Sequence, residues 1–184
     1  MKIIIVGAGV AGLSIGWQLA RSGADVTVLD RAQPGQGATW AAAGMIAVTG
    51  ESHTEASQLY AIAKHSAALW PGFAAEIESA SGVNVGFRKN GALVTALDEP
   101  SLEELRSRAA AGGAEILSAA DARAREPLLA QNIMGALWDA DEGQVNNRAL
   151  GLALSRAFKN AGGTMLANEA VIRIDHDGTR AVSA

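Results

Sequence analysis

The sequence predicts an α/β fold opened by a Rossmann-type βαβ unit, and three observations in its first thirty residues carry that reading. Lys2-Ile3-Ile4-Ile5-Val6 is a continuous apolar run, the pattern of a strand buried on both faces of a parallel sheet. It runs directly into Gly7-Ala8-Gly9-Val10-Ala11-Gly12, and a helical pattern follows in Leu13, Gly16, Trp17 and Ala20. After Gly23 stops that helix, Asp25 to Asp30 reads as a second strand ending in an acid.

Each part of this unit has a mechanical role. Gly7 permits a tight turn, Gly9 allows a pyrophosphate to approach the backbone, and Gly12 allows the helix to sit close to the strands. The N–H groups and dipole of the helix N-terminus favour negative charge. Asp30 stands about 20 residues beyond the glycines, where a carboxylate accepts hydrogen bonds from ribose hydroxyls and repels a 2′-phosphate. A dinucleotide without that phosphate is therefore expected.

Composition sets the remaining bounds. The chain has 184 residues, 49% of them hydrophobic, with a net charge of −4, and no basic stripe that would point to nucleic acid. Without cysteine it has no disulfide, thiolate chemistry or cysteine-ligated metal. No apolar run is long enough to span a bilayer, no cleavable signal is expected before the first strand, and a cytoplasmic location follows as the expectation.

Along the chain, Arg31 to Gly50 is rich in small residues, with Pro34, Gly35 and Gly37 marking a loop. Its Ala41-Ala42-Ala43-Gly44 run exposes backbone N–H groups that can lie beside a flat ring or a phosphate, or can simply serve a close helix–loop contact. Glu51 to Ser81 predicts a long helical stretch interrupted at Pro71-Gly72. Val83 to Phe87 and Gly91 to Leu97 predict two strands of a hairpin turning at Asn90-Gly91. A helix from Glu99 to Gly112, a strand at Ala114 to Leu117 and a short helix opening at Ser118 and ending before Pro127 follow. Ile133 to Asp139 predicts a strand, Asn147 to Ala161 a helix, and Thr164 to Leu166 and Ala170 to Asp175 two further strands.

Other polar groups make poor site candidates. His53 and His65 have no spacing that suggests a shared metal, and Asp141 and Glu142 read as a solvated turn, so no metal site is expected. Arg88 could clamp a carboxylate but reads as a surface arginine.

The N-terminal fingerprint, followed by Gly37-Ala38-Thr39-Trp40-Ala41-Ala42-Ala43-Gly44-Met45, resembles the glycine oxidase branch of the D-amino-acid oxidase family, FAD-dependent amine oxidases that include enzymes of thiamine biosynthesis. Glu126-Pro127-Leu128 and Gly143 to Arg148 carry the resemblance further, and only Trp40 departs from a commonly small polar position. The resemblance implies FAD as cofactor. It implies a cofactor-binding set of Gly7, Gly9, Val10, Ala11, Gly12, Asp30, Arg31, Ala38, Thr39, Ala43, Gly44, Met45 and Val171, the last through its backbone at the adenine end.

The fold implied is an FAD/NAD(P)-binding Rossmann-type domain with part of an α+β substrate-binding domain, incomplete because the family chain is about twice as long. Residues 1–80 would begin the FAD domain, 81–145 would be the partial substrate domain, and 146–184 would return to the FAD domain. The implied reaction is oxidation of the amine of glycine or a similar small or D-amino acid to an imine, with O₂ reduced to H₂O₂. Chemistry carried by a cofactor requires few acid–base residues, and no catalytic residue is nominated. The alternatives are a D-amino-acid dehydrogenase passing electrons to a quinone, a non-catalytic FAD-binding fragment that needs a partner chain, and NAD in place of FAD. The partners expected are a small amino-acid substrate and a second copy or complementary chain, with no nucleic acid and no membrane span.

Overall fold

A computed structural model describes residues 2–50, 58–178 and 181–183 of the chain. In order, the elements are β1 (Lys2–Val6), α1 (Val10–Arg21), β2 (Asp25–Asp30), α2 (Ala38–Ala41), β3 (Met45–Ile46), α3 (Gln58–Ser81), β4 (Ala92–Ala96) and α4 (Glu99–Gly112). There follow β5 (Glu115–Ser118), α5 (Ala119–Arg125), β6 (Gly135–Asp139), β7 (Gly143–Gln144), α6 (Asn147–Asn160), β8 (Thr164–Ala167), β9 (Asp175–His176) and β10 (Ala181–Ser183).

The chain forms two compact units, and each is assembled from separated stretches. Met1–Gly44, Gly72–Gly86 and Asn146–Ala184 make the first; Met45–Pro71 and Phe87–Val145 make the second. Packing thus groups residues 45–71 with the second unit, whereas the sequence reading assigns 1–80 to one domain.

In the first unit β1, β2 and β8 form a parallel sheet with β2 central; Lys2 lies opposite Asp25, and Thr27 lies opposite Thr164. α1 buries Leu13, Gly16, Trp17 and Ala20, and α6 buries Leu150, Leu154, Ala157 and Phe158, apolar positions spaced to share one helix face. Gly16 is where they meet the sheet: a β-carbon there would stand 3.2 Å from Val28 and 3.3 Å from the Phe158 ring. β1 departs from the predicted strand buried on both faces. Ile4 and Val6 are 52% and 54% exposed, because no element among the described residues covers that face.

The second unit is built on an antiparallel sheet in the order β4-β6-β5, with β3 and β7 forming a separate two-stranded pair. Leu102 and Leu105 of α4 pack with Ala96 and Leu137, while Ala122 of α5 packs with Leu117, Ile133 and Ala136. Asp98 caps α4 by accepting the Ser101 N–H at 2.8 Å, and Gly113 closes it in the left-handed conformation. Ser118 caps α5 through the Asp121 N–H.

Three element expectations are corrected. Ala92–Ala96 pairs with β6 and not with residues 83–87, so the hairpin at Asn90-Gly91 does not form. Val85 is instead satisfied by the Glu78 carboxylate, which accepts its N–H at 2.8 Å, and by the Asn146 N–H, which donates to its carbonyl at 2.9 Å. α3 runs through Pro71, since a proline removes one helical hydrogen bond while Ala74 and Ile77 beyond it are buried. The predicted start of that helix, 51–57, lies outside the described residues. Ala170 to Ile174 forms no strand; Ile172 is 96% exposed, and only Asp175–His176 pairs, with β10.

Candidate functional site

The first unit converges on the turn between β1 and α1. Gly7 sits at φ +105°, a conformation that L side chains rarely adopt, and its N–H donates to the Leu29 carbonyl at 2.7 Å, tying the turn to β2. Gly12 lies over the same turn so closely that a β-carbon would stand 1.9 Å from the Gly7 carbonyl oxygen. The first N–H groups of a helix have no partner within it. Among the described residues nothing accepts from Ala11 or Gly12, and Val10 and Ala11 are exposed, so the start of α1 presents bare donors.

Two side chains hold this turn from outside. Asp30 accepts the Ala8 N–H through Oδ2 at 2.7 Å and the Ala32 N–H through Oδ1 at 2.8 Å, so each oxygen keeps a lone pair for a further donor. Thr39 is buried and its Oγ1 accepts the Val10 N–H at 2.9 Å. Asn147 Nδ2 in turn donates to the carbonyls of Thr39 at 2.6 Å and Trp40 at 3.0 Å, fastening α2 to the start of α6. A β-carbon at Gly9 would come 3.3 Å from Thr39 Oγ1, so residue 9 must be small for this arrangement.

Beside the turn lies a cleft of about 220 Å³ walled by Gly7, Asp30, Arg31, Glu169, Ala170 and Val171. Thus Gly7, Gly9, Val10, Ala11, Gly12 and Asp30 meet at one turn with Thr39; Arg31 and Val171 wall the cleft. Ala38 opens α2, Ala43 and Gly44 close this unit's first stretch, and Met45 begins β3 of the second unit, 62% exposed. A β-carbon-free turn, unpartnered N–H groups and a carboxylate with spare acceptor capacity fit a group carrying a pyrophosphate and a ribose.

Sequence reasoning missed Asn147 and Glu142. Asn147 lies in the Gly143 to Arg148 stretch that carries the family resemblance, but its spacing assigns it no role. Glu142 is a correction: it is 4% exposed, and its Oε1 accepts the Val48 and Gly50 N–H groups at 2.7 and 2.9 Å. Its neighbour Asp141 does lie in solvent, where a hydrogen bond from the Lys89 ammonium, 2.8 Å away, holds its carboxyl below the usual range. Arg88 enters through its backbone, which bridges Gln144. Among the described residues no group of acids and histidines could hold a metal, and no helix is long and apolar enough to cross a membrane.

Residues 2–184 match the model of a family described as FAD dependent oxidoreductase. The chain is 31% identical over 183 residues to glycine oxidase of Geobacillus kaustophilus, covering 96% of this chain and 48% of that protein. It is 32% identical over 185 residues to an opine oxidase subunit of Rhizobium meliloti, covering 95% and 49%. The crystal structure of the Geobacillus kaustophilus glycine oxidase superposes with a TM-score of 0.91 at 30% identity, over 96% of this chain and 49% of that one. The chain spans about half the length of the curated relatives it matches.

Proposed function

The chain belongs to the family of FAD-dependent oxidoreductases, and from that premise we propose that its first unit holds the ADP half of FAD in a protein that oxidises the amine of glycine or a similar small or D-amino acid to an imine, with O₂ reduced to H₂O₂. The observation that carries the reading is the turn at Gly7 to Gly12, where a β-carbon would collide with Gly7 and the first N–H groups of α1 face outward. The likeness to a glycine oxidase supports the substrate class.

In this reading the Ala11 and Gly12 N–H groups donate to the pyrophosphate, with Gly7, Gly9 and Val10 shaping the approach. Thr39 accepts from Val10 and so keeps its own O–H proton to give a phosphate oxygen. Asp30 receives the ribose hydroxyls on its remaining lone pairs and excludes a 2′-phosphate by charge, which favours FAD or NAD over NADP. Arg31 and Val171, which wall the cleft, would flank the adenine. Ala38, Ala43 and Gly44 would offer backbone beside the flavin with little side chain in the way, and Met45 is the next residue of that segment. Bound FAD supplies the two-electron acceptor. The protein's share is to orient cofactor and substrate, with residues 81–145 contributing part of a substrate domain.

A second reading, that the chain works with a complementary chain, draws on the exposed face of β1 and on a relative that is itself named as one subunit of an oxidase. The test is a visible absorption spectrum of the purified chain before and after incubation with FAD and desalting. A retained flavin band supports the cofactor site; peroxide formed in air with glycine, sarcosine or D-alanine supports the oxidase. A chain that stays colourless overturns the reading that this chain alone holds FAD. Flavin reduction by substrate without peroxide would point to a dehydrogenase.

A further inference from the structure

In the first unit a cavity of about 380 Å³ opens among the loop at Pro34 to Gln36, α2 and the first turns of α6. Two of its lining residues are glycines in contact: a β-carbon on Gly35 would stand 3.3 Å from the Cα of Gly151, so the loop lies against α6 itself. The loop is also tied down, its Gly35 N–H donating to the Ala8 carbonyl at 2.8 Å. Small-molecule sites commonly enclose about 300–1,000 Å³, and this cavity falls in that range.

The wall carries a single charge. Arg148 lies over the Trp40 ring, its guanidinium carbon 4.3 Å from the ring centre. An aromatic face attracts the cation but leaves its N–H donors in need of acceptors. Among the described residues none accepts from them, and no acid lines the cavity. Gln36 is in the wall too, its side-chain amide likewise without a partner among the described residues. Trp40 and Leu152 are 45% and 49% exposed, so apolar surface stands beside the unpaired charge. Trp40 is also the residue at which its segment departs from the family resemblance. The start of α6 offers little more, because Asn146 Oδ1 already accepts the Arg148 and Ala149 N–H groups at 3.2 and 3.0 Å.

We propose that this cavity binds a small organic carboxylate with an apolar body. A guanidinium matches a carboxylate two N–H groups to two oxygens, and resting on a ring removes part of the side-chain freedom that binding otherwise costs. Trp40 and Leu152 take the apolar body, with the Gln36 amide as a further polar group at the wall. One unpaired cation matches a monoanion. A phosphate carries more charge and calls for more donors than one arginine, and the helix N–H groups that commonly supply them are capped here.

The test titrates the full chain, without added flavin, with phenylacetate, acetate and inorganic phosphate, followed by calorimetry and by the NMR signals of the Arg148 Nε–H and the Trp40 indole N–H. Phenylacetate is expected to saturate one site and to shift both signals. Acetate, which lacks the apolar body, is expected to bind at least about tenfold more weakly, and phosphate more weakly than phenylacetate. Arg148→Ala is expected to weaken phenylacetate binding by about tenfold or more, as the loss of charge-assisted hydrogen bonds implies. Arg148→Lys keeps the charge without the fork and should fall between that variant and the parent; Trp40→Ser should weaken phenylacetate more than acetate. Arg156→Ala removes another exposed arginine of α6 and is the control for charge alone, expected to bind as the parent does. No saturable binding by the parent, unchanged binding in Arg148→Ala, or an equal loss in Arg156→Ala overturns the inference. Phosphate binding tighter than phenylacetate overturns the assignment of a carboxylate. Should Arg148→Ala lose its melting transition, the other two variants decide: phenylacetate bound by Arg148→Lys and Trp40→Ser as by the parent overturns the site.

Discussion

At Gly12 a methyl carbon would stand 1.9 Å from the Gly7 carbonyl oxygen, far inside the contact distance of a non-bonded carbon and oxygen, so the backbone of the turn would have to move. Overpacking of this kind costs about 1–3 kcal/mol. Gly12→Ala is therefore expected to lower the thermal midpoint and to abolish flavin retention after desalting, both measurable on one sample. Asp30→Asn keeps the shape of the side chain but loses its charge, and hydrogen bonds to charged groups are worth about 1.5–3 kcal/mol. A fluorescence titration should show FAD binding weakened by about tenfold, the lower end of that range. The places of both residues at the turn were legible in the sequence because they depend on near neighbours: a turn, a helix start and the end of the next strand. Glu142 was not. A carboxylate beside another acid and a glycine has the composition of a solvated turn, and only its long-range partners Val48 and Gly50 reveal that it is buried.

Among the elements, helices with local start and stop signals could be placed from the sequence alone. α4 has an aspartate cap, Pro100 in its first turn and Gly113 beyond its end, and α6 has Asn146 and the glycines at 162 and 163. Strand partners were less accessible, because pairing is chosen by the whole sheet. β4 carries an Asn-Gly turn signal at its start yet pairs with β6, reached only after α4, β5 and α5. The α4 cap also gives a pH prediction. The Ser101 hydroxyl and N–H bind the ionised form of Asp98 and hold its carboxyl below the usual range. A carboxyl depressed by folding contributes stability above its unfolded-state value, and that contribution disappears as pH falls through the folded-state value. Asp98→Ala should therefore lower the thermal midpoint at neutral pH, and the gap from the parent should close in acid. Thermal melts across an acidic pH series check this.

At the scale of the molecule, the parallel sheet has β1 at one edge among the described residues, with Ile4 and Val6 more than half exposed. An open edge with apolar side chains is a template for pairing with another chain. The chain is expected to self-associate as its concentration rises, and Ile4→Lys, which puts charge on that strand, should shift light-scattering mass toward the monomer. A mass that is independent of concentration in both proteins would remove β1 as an association surface.

The central strand β2 finds one neighbour, β1, almost at once and the other, β8, only when Thr164 has been made. Domains fold as they leave the ribosome, at a synthesis rate of about 5–20 residues per second. Residues 87–145 of the second unit are therefore made before β8 can join the sheet of the first. The cleft beside the glycine turn has Val171 in its wall and must wait, the turn already synthesised but the far wall still to come. Synthesis thus runs ahead of assembly: the glycine turn is made well before the residues that wall the cleft beside it.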